Sequence, residues 1–124
     1  MTGSRMTFEL PRDEHAPAVA RGALGGFAHA LDEVRFDSTR LLVSELVTNA
    51  VKYGGDGPVR LEVATDPSRF RAEVIDSGPG FVATGRAADR DGGWGLPLVE
   101  HLADRWGTFQ GSTHVWFELD LTGG

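Results

Sequence analysis

The sequence contains no cysteine, so disulfides, thiolate nucleophiles and thiolate metal sites are all excluded. That absence agrees with a reducing compartment. No apolar run approaches the roughly 18 residues of a membrane span, and Met1 to Met6 is short and polar, unlike a secretory signal. A cytoplasmic chain without membrane contact is therefore expected. Excess positive charge is missing as well: the formal net charge is -6. Nucleic-acid phosphate is held by clustered Lys and Arg, so direct nucleic-acid binding is not expected. His15 and His101 lack metal-ligand spacing and read as surface helix residues. Repeats and low-complexity tracts are absent.

What remains is 124 residues, 40% of them hydrophobic, enough for one domain with a single modest core. That domain is expected over residues 6–121, with loose tails at 1–5 and 122–124. Met6 to Leu10 is a short extended segment closed by Pro11. His15 to Leu31 suits a helix, weakened by Gly22, Gly25 and Gly26. Asp32 to Asp37 interrupts the pattern. Ser38 to Tyr53 is the clearest helix, with Leu42, Leu46 and Ala50 in one stripe and Val43, Val47 and Val51 beside it. Gly54-Gly55 stops it.

Val59, Leu61 and Val63 then alternate with charged residues, as do Phe70, Ala72 and Val74, which predicts two strands around Asp66-Pro67-Ser68. Gly78 to Trp94 shows little periodicity. Leu96 to Leu102 reads as a short helix that tolerates Pro97 in its first turn. Trp106 to Gln110 and Thr113 to Leu121 read as a closing hairpin, with Val115, Phe117, Leu119 and Leu121 on one face. Helices combined with hairpin-connected strands predict an α+β layer sandwich.

Three segments carry chemistry. Glu45 and Asn49 stand at i and i+4, one above the other on a helix face beside the buried stripe. They are either an edge-of-core pair satisfied locally or a carboxylate and an amide looking into a pocket. Asp76 ends a strand on its inward face, where a carboxylate needs a donor such as an adenine amine. Gly78 and Gly80 behind it let backbone approach a planar ring. Asp-x-Gly-x-Gly alone is also compatible with a plain tight turn. Gly92-Gly93-Trp94-Gly95 feeds directly into a helix, an arrangement suited to phosphate. It is neither the Walker pattern nor the dinucleotide fingerprint.

Together these segments resemble the nucleotide-binding motifs of the histidine kinase, gyrase and heat-shock chaperone ATPase superfamily, and most closely the anti-sigma regulatory factors, or switch serine kinases. Leu42 to Val51 resembles the family's asparagine-bearing helix, Val74 to Phe81 its adenine box, and Gly93-Trp94-Gly95-Leu96 its second glycine box. Asp104-Arg105-Trp106-Gly107 and Val115 to Leu119 resemble bacterial members. The likeness runs from about Phe8 to Leu121.

The resemblance implies a Bergerat-type two-layer α/β sandwich, a mixed sheet with helices on one face. It implies ATP or ADP with Mg²⁺ as ligands. Asn49 would coordinate the Mg²⁺ that bridges the phosphates, and Asp76 would accept from the adenine amine. Gly78 and Gly80 would line the base, Gly93, Gly95 and Leu96 would serve the phosphates, and the Thr113 hydroxyl would assist Asp76. Glu45 would be the general base toward a serine hydroxyl. The implied partners are a STAS-type anti-anti-sigma protein and a sigma factor, with a homodimer as the family's usual state. A nucleotide-gated binding module without phosphotransfer is the alternative. This sequence departs from the pattern at Trp94, where the second glycine box usually carries a basic residue. Val82 to Asp91 would be the lid, with Arg86 or Arg90 able to restore that charge; solvated loop arginines are the plainer reading. His114 reads as an exposed strand residue, Trp106, Trp116 and Phe117 as packing, and Arg105 as either a surface ion pair or a protein contact.

Overall fold

A computed structural model of the chain describes residues 3–53, 58–76, 96–108 and 114–121. The elements are β1 (Ser4–Leu10), α1 (Ala16–Leu24), a 3-10 turn (Gly25–Ala30), α2 (Glu33–Tyr53), β2 (Val59–Asp66), β3 (Arg69–Asp76), α3 (Leu96–Leu102), β4 (Arg105–Thr108) and β5 (Val115–Asp120). They form an α+β sandwich in which five strands run in the order β1-β2-β3-β5-β4. The resemblance implied a mixed sheet. Instead, every pairing among the described strands is antiparallel. Hairpin-length connections join β2 to β3, and antiparallel neighbours need no long crossover.

Strand alternation sorts the sheet into two faces. Val59, Leu61 and Val63 of β2, Phe70, Ala72 and Val74 of β3, and Val115, Phe117 and Leu119 of β5 are buried on one face. Against them lie Ala16, Ala20 and Leu24 of α1 and Leu42, Val43, Leu46, Val47 and Ala50 of α2. Both stripes of α2 are therefore inside apart from the half-buried Val51, because α2 packs against α1 as well as against β2 and β3.

Three boundaries differ from expectation. α2 starts at Glu33, five residues before the expected Ser38. Asp32 is its cap rather than part of a break: Oδ1 accepts from the Arg35 N–H at 2.7 Å and the Asp32 carbonyl accepts from the Phe36 N–H at 2.8 Å. The expected helix from His15 to Leu31 divides at Gly25-Gly26, where two residues without side chains weaken the α-helix and the 3-10 turn inserts Phe27 edge-on against Phe70, 6.4 Å between ring centres. β1 begins at Ser4, inside the expected tail. Ser4 and Arg5 pair with Thr65 and Ala64, and Arg5 reaches Glu62 at 2.8 Å.

The helix-free face is polar and cross-linked. Glu118 accepts from Arg71 at 3.1 Å and from Arg105 at 2.9 Å, and Arg105 also pairs with Asp120. Arg105 thus makes surface ion pairs. His114 is half-buried and its Nε2 lies 2.6 Å from Glu73, so the expected free exposure is replaced by a cross-strand pair. The packing expected of the aromatics is present: Phe117 is buried, Trp106 lies against the core, and Arg71 stacks 4.5 Å above the Trp116 ring.

Candidate functional site

One end of the sheet gathers the polar groups that the core excludes elsewhere. Leu10 closes β1 opposite Val59, and Val59 opens β2 opposite Asp76, which closes β3. These three residues form a row across the sheet. Asp76 continues the inward face after Phe70, Ala72 and Val74, as alternation predicted, and its side chain is fully buried. A carboxylate in that position requires a compensating charge.

Arg12 supplies it. The residue stands two positions beyond Leu10, and its Nη2 donates to Asp76 Oδ1 at 2.8 Å. Its Nη1 donates to the Ala50 carbonyl at 2.8 Å and to the Val51 carbonyl at 3.3 Å. One planar guanidinium therefore joins the end of β3 to the last turns of α2, a use for which its fork of donors is suited. Sequence reasoning missed Arg12. Its partner lies 64 positions away, and a charged residue after Pro11 carries no periodic signal.

The helix turn that Arg12 grips begins with Asn49. Asn49 is 1% exposed, and its Nδ2 has no hydrogen-bond partner among the described residues. Most buried side-chain polar atoms find a partner, and leaving an amide unmet costs roughly 1–3 kcal/mol. A buried amide in that condition beside a charged cluster fits a residue awaiting a ligand. Its donor set, a side-chain amide near a carboxylate, suits a hydrated Mg²⁺ and phosphate oxygens. Glu45 lies one turn earlier on α2 and is half-buried. Its carboxylate makes no hydrogen bond or ion pair among the described residues, which leaves it available to an incoming group.

The structure thus brings Asn49 and Asp76 to the same end of the sheet and places Glu45 one turn away. Leu96 opens α3, which packs against α2 and β4. Gly78, Gly80, Gly93, Gly95 and Thr113 lie outside the described residues, as do Trp94 and the expected lid from Val82 to Asp91. Among the described residues no group of His, Asp and Glu is arranged to hold a metal unaided. No described helix is long and apolar enough to cross a membrane.

Comparison with known proteins agrees with this geometry. The model of the histidine kinase-like ATPase domain matches residues 10–118. A search of curated proteins returns no match. The match covers most of the 124 residues, so the chain belongs to the histidine kinase-like ATPase domain family, and nucleotide binding is the activity that this membership carries.

Proposed function

We propose that the chain is an ATP- and Mg²⁺-dependent anti-sigma factor and protein serine kinase of the cytoplasm. Its substrate would be a serine on a STAS-type anti-anti-sigma protein, and its other partner a sigma factor held inactive. The observation that carries the reading is the buried Asn49 amide, unmet among the described residues, beside the Arg12–Asp76 pair in a chain of this family. Asn49 would hold the Mg²⁺, which when bound neutralises charge on the phosphates. Asp76 would accept from the adenine amine.

Phosphoryl transfer needs little covalent work from the protein beyond positioning and one group to take a proton. The serine Oγ forms a bond to the γ-phosphorus as the bond to the β–γ bridging oxygen breaks. The hydroxyl proton passes to the Glu45 carboxylate, and ADP leaves with the electron pair. Glu45 is half-buried and uncommitted among the described residues, as a base that receives a proton from a docked partner must be.

That same lack of a partner supports a second reading. A general base is normally oriented by a neighbour, and nothing described orients Glu45. A nucleotide-gated module that captures its partner without phosphotransfer would use Glu45 only to hold water.

Calorimetric titration with ATP and Mg²⁺ tests the shared premise: wild type binds and Asn49→Ala does not. Radiolabelled transfer to the serine partner then separates the readings. Kinase activity predicts a rate that falls about a hundredfold in Glu45→Gln with ATP affinity kept. Nucleotide-dependent partner binding without transfer supports the gated module. A folded wild type that binds no nucleotide sinks both.

A further inference from the structure

Arg12 is the one member of the charged cluster for which the proposed function has no role. It is also the most connected, bonded to α2 through two carbonyls and to β3 through Asp76, with its side chain 20% exposed. We infer that Arg12 is the positioning residue that sets base selectivity at Asp76, favouring a 6-amino purine over a 6-oxo purine. The inference rests on the reading that Asp76 meets the base.

The argument starts from what a carboxylate can do. Ionised, it only accepts hydrogen bonds; protonated, it also donates. A 6-amino purine offers a donor at the position where a 6-oxo purine offers an acceptor. A carboxylate fixed in orientation therefore accepts from the first and repels the second.

Asp76 has a fully buried side chain. The Arg12 guanidinium donates to its Oδ1 at 2.8 Å, a charge-assisted hydrogen bond from a permanently charged group. Because the same guanidinium is anchored to the Ala50 and Val51 carbonyls, it also fixes the direction from which Asp76 is held. The charge and the anchor act together. A lysine could restore the charge but has no planar fork with which to keep both anchors.

The test is calorimetric binding of ATP and of inosine triphosphate, each with Mg²⁺, to wild type, Arg12→Gln, Arg12→Lys and Asp76→Asn. The quantity read is the ratio of the two affinities, because a brace that only supports the fold would weaken both nucleotides equally. Arg12→Gln is expected to lower the ratio at least about tenfold, with Arg12→Lys between it and wild type. Circular dichroism checks that Arg12→Gln is folded; if it is not, Arg12→Lys carries the test through the same ratio. An unchanged ratio, or tighter ATP binding by Arg12→Gln, overturns the inference, the second outcome making Arg12 a plug instead. Asp76→Asn separates the two levels. Selectivity lost there but kept in Arg12→Gln rejects only the role of Arg12. Selectivity kept in Asp76→Asn rejects the base contact itself, and the inference falls with it.

Discussion

At the scale of single residues, the helix-free face shows how one missing side chain organises several present ones. Gly107 of β4 lies opposite Trp116 of β5. A Cβ built on Gly107 would stand 2.7 Å from the Trp116 Nε1 and 2.9 Å from Cε2. The indole therefore rests directly on the glycine, and Arg71 covers its other side at 4.5 Å. Arg71 also bonds Glu73 and Glu118, so the ring sits under an anchored cation. Gly107→Ala should push the indole outward and weaken that stack, costing about 1 kcal/mol. In a Trp116→Ala background the clash is gone. Alanine should then stabilise the strand by about 0.5 kcal/mol relative to glycine. Urea unfolding of the four proteins in this cycle reads the change of sign. A cost that persists without the indole would show that Gly107 is needed for its backbone and not for the space above it.

Elements depend on how their ends are satisfied, and α2 is the clearest case. Its first turn hangs on Asp32, whose carboxyl is held below its ordinary value of 3.8, chiefly by the Arg35 backbone N–H and further by the Arg35 guanidinium. A carboxyl lowered by folding stabilises the protein above its unfolded-state value and loses that contribution as the pH falls through its folded-state value. Asp32→Ala should therefore lower the melting temperature at neutral pH, and the gap to wild type should narrow as the pH falls below 3.8 and through the lowered folded-state value. Thermal unfolding followed by circular dichroism checks both; a gap independent of pH would place the effect in helix propensity. This cap also explains what the sequence hid. Asp32, Arg35 and Asp37 look like a polar break, because hydrophobic periodicity registers the apolar stripe and not the hydrogen bonds that start a helix. The stripe itself was legible, and so were the i and i+4 positions of Glu45 and Asn49. Alternation alone put Asp76 on the buried face of β3. Sheet order was not legible: periodicity says which way a side chain faces, never that β5 would lie between β3 and β4. Arg12 escaped for the same reason, since its role exists only once strands far apart in sequence share an end.

At the scale of the whole molecule, that shared end is where stability and ligand binding meet. The core is continuous from α1 through α2 to the sheet, and it stops at a row that ends in a buried carboxylate, tied through Arg12 to the helix turn that carries the buried Asn49 amide. Polar groups placed there lower the stability of the empty protein, as sites prepared for a ligand commonly do. A ligand that meets those groups binds only the folded state and raises its stability by mass action. At a nucleotide concentration about a hundredfold above the dissociation constant, the gain is about 2.7 kcal/mol. For a domain of this size that corresponds to a rise in melting temperature of roughly 10 °C. Wild type should show that rise with ATP and Mg²⁺. Asn49→Ala, freed of a buried amide unmet among the described residues but left with a small cavity, should melt within a few degrees of the empty wild type and show almost no further rise. Scanning calorimetry with and without nucleotide measures all four temperatures. A full rise in Asn49→Ala would mean that the buried amide is structural and that the ligand is held elsewhere in the fold.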